Sequence, residues 1–160
     1  MDILKVNYRE LIIIAALAII FTATFFSFRI LARKRKAVEE AVNMIFPDAM
    51  PAGGVEVPLL EAHSGLKALA PVTFTHNGIG PKLTLYDDRI EYKVFITRSA
   101  FISEIESLRA YRSRFYNRLL LKFINSNLYF MAVLPDEHIL ERILRFFEAK
   151  GIYPDEKSRL

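Results

Sequence analysis

The sequence predicts an α+β protein: one N-terminal transmembrane helix, then a small antiparallel β-barrel or sheet closed by a C-terminal amphipathic helix. Three observations carry that expectation. Residues 11–28 form an uncharged apolar run, period-two alternation begins at Pro71, and residues 136–150 carry an apolar stripe at helical spacing.

The membrane segment comes first. Leu11 to Phe28 spans about 27 Å as a helix, close to the thickness of a bilayer core. Thr22, Thr24 and Ser27 interrupt it only mildly, because their hydroxyls can bond back to helix carbonyls. Ile30, Leu31 and Ala32 extend the apolar surface to give a span of residues 11–32, with Arg29 snorkelling to the headgroups. A cleaved signal peptide is the competing explanation. The run, however, exceeds the ~7–15 residues of a signal core, no small-x-small cleavage site follows, and a basic cluster stands where a mature chain would begin.

Charge sets the orientation. Lys5 and Arg9 precede the span, whereas Arg29, Arg33, Lys34, Arg35 and Lys36 follow it as membrane-surface anchors. The positive-inside rule therefore places residues 1–10 outside as a short extracytoplasmic tail, and the remainder in the cytoplasm beneath the cell (inner) membrane.

Residues 33–58 read as a basic juxtamembrane helix and a linker. Ala37, Val38, Ala41, Val42, Ile45 and Phe46 fall near helical spacing, Pro47 stops the helix, and the Pro- and Gly-rich stretch up to Pro58 follows. Residues 59–153 then form the cytoplasmic domain, and 154–160 a tail. Leu59 to Ala70 is ambiguous between a short helix and a strand. Val72, Phe74 and His76 alternate with threonines, Leu83 and Leu85 precede an Asp87-Asp88 turn, and Ile90, Tyr92, Val94 and Ile96 share one strand face. Ile102 to Tyr111 is less regular. Leu119–Ile124 and Leu128–Leu134 read as strands joined by Asn125-Ser126-Asn127, a turn that tolerates positive φ. The closing helix opens at Pro135-Asp136, ends at Lys150-Gly151, and aligns Ile139, Leu140, Ile143, Leu144, Phe146 and Phe147.

About six short strands followed by one amphipathic helix resembles a pleckstrin-homology-like domain. Lys82-Leu-Thr-Leu-Tyr-Asp-Asp-Arg-Ile-Glu-Tyr92 is similar to the second hairpin of bacterial PH-like and GRAM-like domains, and Phe101-Ile-Ser-Glu-Ile-Glu-Ser-Leu108 to the segment after it. The resemblance covers residues 72–152 and implies a barrel plugged by its C-terminal helix. It assigns no ligand role to any residue, because that fold serves lipid binding, peptide binding and scaffolding alike.

Catalytic chemistry is not signalled. With no cysteine, disulfides, thiol catalysis and Cys-based metal sites are excluded. Gly78-Ile-Gly80-Pro81 lacks the Lys-Ser/Thr of a phosphate loop and reads as a turn, and Ser64 beside His63 lacks the Gly-x-Ser-x-Gly elbow. His63, His76 and His138 are scattered, with no i,i+4 pair, and read as solvated or capping side chains rather than metal ligands. Glu104 and Glu106 share a face if their strand holds, which suits a solvated edge as well as acid–base work. No enzyme activity and no cofactor are expected.

Binding is signalled more clearly. No acid lies between Glu106 and Asp136, while Arg109, Tyr111, Arg112, Arg114, Phe115, Tyr116 and Arg118 crowd one short stretch. Three explanations compete. One is a solvated loop neutralised across space by Glu104, Glu106 or Glu141. A second is contact with anionic headgroups, at ~1 kcal/mol per basic residue. The third is a protein partner anchored by Arg and Tyr. Nucleic acid is disfavoured, since a net charge of +4 gives no broad basic face. The expected function is a non-enzymatic accessory, assembly or scaffold subunit of a membrane complex, with anionic-lipid sensing as the alternative.

Overall fold

A computed structural model describes residues 8–43, 46–47, 50–113 and 116–155. Helix α1 runs Tyr8–Asn43 without a break. Within it, residues 11–40 are long and apolar enough to cross a membrane. The hydroxyls of Thr22, Thr24 and Ser27 donate to the carbonyls of Ala18, Ile20 and Ala23 at 2.7, 2.8 and 2.9 Å, so none of the three is left unsatisfied along the apolar stretch. The chain separates into two compact units, Met1–Arg35 and Lys36–Leu160.

Among its described residues the second unit holds nine strands and a closing helix. They are β1 (Val55–Val57), β2 (Glu61–Leu66), β3 (Thr75–Asn77), β4 (Lys82–Leu85), β5 (Arg89–Lys93), β6 (Thr97–Phe101), β7 (Ile105–Arg112), β8 (Asn117–Phe123), β9 (Leu128–Leu134) and α2 (Glu137–Ala149). All pairings are antiparallel, in a four-stranded sheet ordered β1-β4-β5-β6 and a five-stranded sheet ordered β3-β2-β9-β8-β7. The expected barrel does not close. Among the described residues nine strands replace about six, and the two sheets keep separate edges, β1 and β6 in one and β3 and β7 in the other.

Around β8 and β9 the larger sheet is buried on both faces, which explains why Leu119–Leu121 and Leu128–Leu134 read as continuous apolar runs. On one face Ala62, Leu108, Ala110, Leu119, Leu121, Phe123, Phe130, Ala132 and Leu134 enter the main core with the α2 stripe. On the other, Leu120, Tyr129 and Met131 form a smaller cluster with Ala70 and Tyr111. Tyr92 joins the two sheets, stacking on Phe123 at 5.0 Å between ring centroids and meeting Phe130 at 4.9 Å. In α2 all six expected stripe residues are buried, and Asp136 caps the start by accepting from the His138 N–H. The end is marked by Gly151 at φ 81°, a conformation that favours glycine.

Several boundaries differ from the sequence reading. Val55–Val57, inside the expected linker, is an edge strand on β4, and Phe46 and Met50 pack against the core. Gly54 makes this possible: at φ 72° a Cβ there would meet Leu85 O and Thr84 Cγ2 within 3 Å. Strand β5 ends at Lys93 rather than continuing to Ile96, because Lys93 pairs with Thr97 and residues 94–96 become a turn. Val72 and Phe74 precede β3 instead of belonging to it, since the Val72 N–H donates to Leu69 O in a turn. At the other end Pro154 bridges to Leu108 and the Asp155 N–H donates to Leu108 O, so residues 154–155 cover the β7 edge rather than forming a tail.

Candidate functional site

The basic stretch forms the β7–β8 hairpin. Arg109, Tyr111 and Arg112 lie on β7, Tyr116 in the turn, and Arg118 on β8 directly opposite Tyr111. Arg114 and Phe115 lie outside the described residues. Arg109 and Arg112 find counter-charges within the fold, but not in the acids the sequence suggested. Arg109 Nε donates to Asp155 Oδ2 at 2.7 Å, and Arg112 Nε lies 3.2 Å from Glu137 Oε1. The carboxylate of Asp155 also raises the Arg109 pKa, holding its charge. Glu106 pairs instead with Lys67. Glu104 accepts from the Phe101 N–H at 2.8 Å and from Asn125, contacts that hold its carboxyl below the usual range. The two glutamates thus have separate structural partners. Arg118 sits 5.1 Å over the Tyr116 ring, and its buried Nε has no hydrogen-bond partner among the described residues.

The anchor residues all fall on α1. Arg29 lies 5.5 Å over the Phe25 ring and Lys36 pairs with Glu40 at 3.4 Å, while Arg33, Lys34 and Arg35 continue the helix between them. The Asp87-Asp88 pair occupies the β4–β5 turn, closed by the Tyr86 N–H donating to Arg89 O at 2.9 Å.

Two features emerge that pattern alone did not single out. The first is an apolar rim between the unclosed sheets. A cleft of about 290 Å³ is lined by Ser64, Gly65, Leu66, Phe74, Thr75 and Leu128. It adjoins one of about 170 Å³ that adds Val94, Phe95, Ile96 and Arg98. Phe74, Phe95 and Ile96 are 59%, 61% and 73% exposed, high for side chains of this size. Asn77 Nδ2 donates to Val94 O and ties β3 to this turn.

The second is a His–Glu cluster on the outer face of the larger sheet. Strand alternation sets Glu61 and His63 on one face, and the β2–β3 register places His76 directly opposite His63. The His63 and His76 rings are 4.9 Å apart, and Glu61 Oε2 lies 3.4 Å from His63 Nε2 and 3.3 Å from His76 Nε2. Partial burial, followed by the neighbouring His76, lowers the His63 pKa and so favours the neutral imidazole. His63 and His76, expected as scattered solvated or capping side chains, are thus brought together by strand pairing, with His76 exposed and His63 partly buried. The Glu61-x-His63 spacing was the available signal, but His76 joins it only through strand pairing.

The sequence matches no known family model and no curated protein.

Proposed function

We propose that the chain is a membrane-anchored, non-enzymatic accessory or assembly subunit whose folded unit docks a protein partner at the cytoplasmic membrane face. One observation carries this reading: the apolar side chains of α1 from Leu11 to Leu31 are exposed along its length, whereas the second unit buries a core of its own. A helix of that kind is stable in lipid and costly in water. The basic residues from Arg29 to Lys36 support an N-out orientation at the inner membrane. A pleckstrin-homology-like ancestry belongs to the same proposal. The succession of antiparallel strands and a closing helix favours it, while the open sheets depart from it.

The docking face we assign is the rim of Leu66, Phe74, Phe95 and Ile96 rather than the arginine hairpin. Arg109 and Arg112 already have acids beside them, whereas the rim offers apolar area beside Arg98. Covering that area with an apolar segment of another subunit gains roughly 25 cal/mol per Å² removed from water. The test is capture of the full-length protein from native membranes in mild detergent or nanodiscs, followed by mass spectrometry. Phe95→Asp with Ile96→Asp should lose one specific membrane protein that Arg112→Gln with Arg118→Gln retains. If the rim change loses nothing, while wild-type binding to vesicles follows anionic lipid content and falls with salt, the lipid-sensing alternative replaces this one.

A further inference from the structure

We propose that Glu61, His63 and His76 form a binding site for one divalent transition-metal ion of the zinc class, clipping edge strand β3 to β2. Nothing in the docking reading requires this site, and it stands on geometry of its own.

The backbone assembles the ligands. Glu61 and His63, two residues apart on β2, project from the same face, and His76 is the cross-strand partner of His63. One donor atom from each of the three lies within 4.8 Å of the others. Zinc bonds of 2.0–2.1 Å in tetrahedral geometry put neighbouring donors about 3.3–3.4 Å apart. The two Glu–His separations, 3.3 and 3.4 Å, already have that length. The same separations also let Glu61 pair directly with either imidazole when that imidazole is protonated. His76 is largely exposed, which leaves its ring free to rotate and close the remaining edge.

The donor set agrees. Two imidazoles and one carboxylate suit zinc, cobalt, nickel or copper, and are too few and too nitrogen-rich for calcium or magnesium. Three protein ligands leave a fourth position for water. Arg118 opposes binding: its charge helps to lower His63 and would repel a cation as well.

The fold gives the ion something to hold. Strand β3 is three residues long, and Thr75 and His76 are exposed. Its pairing to β2 has little apolar burial behind it, so a metal bond across His63 and His76 would add the attachment that packing does not supply.

The test uses full-length protein in detergent, purified without a polyhistidine tag, stripped with chelator and titrated with zinc chloride against a chromophoric competitor. Bound metal is counted after desalting. The expected result is one zinc per chain, the intense visible bands of tetrahedral cobalt on substitution, and a zinc-dependent rise in melting temperature. His76→Gln alters an exposed side chain and should leave the circular dichroism unchanged while weakening zinc binding on the order of tenfold or more. Arg118→Gln should tighten it. Wild-type protein that retains no zinc, or binding that His76→Gln and Glu61→Gln leave unchanged in folded protein, would overturn the proposal.

Discussion

Replacing Phe147 with alanine removes the ring that closes α2 over the main core. Phe147 is 0% exposed, lies 5.2 Å edge-on from Phe146, and belongs to the cluster that joins the helix to β8 and β9. Deleting a fully buried Phe side chain costs about 3–5 kcal/mol, from lost transfer energy and the cavity left behind. With a urea m-value of ~1.5 kcal/mol/M, that shifts the unfolding midpoint by roughly 2–3 M, or lowers the melting temperature by about 10–20 °C. The chain has no tryptophan, so far-UV circular dichroism of detergent-solubilised protein is the better probe. Arg145 is exposed on the opposite side of the same helix, and Arg145→Ala should cost no more than about 0.5 kcal/mol. Small and equal effects from both substitutions would refute the packing described for α2.

Three further outcomes follow from particular contacts. Gly65→Ala should destabilise the second unit by ~1–3 kcal/mol, because a Cβ there overlaps Val72 O and the Tyr129 ring; a wild-type melting curve would contradict this. Asp155→Asn and Arg109→Gln should each cost little, and a double-mutant cycle should give a coupling of ~1 kcal/mol or less for this partly exposed pair; several kcal/mol would mean that the hairpin depends on it. In chelator-treated protein the lowered pKa of His63 makes its neutral form the one favoured by folding. Its contribution is complete above the unfolded value near 6.5 and is lost as pH falls through the lower folded value. Melting temperature should therefore drop on acidification from pH 7.5 to 5.5, and less so in His63→Gln; identical pH profiles would remove that assignment.

The parts legible in the sequence are those whose signal is local. The six buried residues of α2 follow from 3.6-residue spacing, and β9 has the expected ends because its flanks, an Asn-rich turn and Pro135, are strong punctuation. The expected hydroxyl contacts of Thr22, Thr24 and Ser27 lie four residues back along one helix. What escaped depends on register or on distant partners. Ile96 continued an apolar alternation but falls in a turn, because pairing with β6 and not pattern decides where β5 stops. The partner of Arg109 stands 46 residues away, beyond the closing helix. His63 and His76 meet because β2 and β3 pair in one register, and a slip of one residue would put them on opposite faces.

The proposed arrangement, an anchored chain with its folded unit in the cytoplasm, is directly measurable because the sequence has no native cysteine. Single-cysteine variants Asn7→Cys and Ser158→Cys, expressed in intact cells, are exposed to a membrane-impermeant maleimide before and after permeabilisation. The account predicts labelling of Asn7→Cys in intact cells and of Ser158→Cys only after permeabilisation, with both proteins remaining in the membrane pellet through alkaline carbonate extraction. Labelling of Ser158→Cys alone in intact cells, or release of the chain by carbonate, would contradict it.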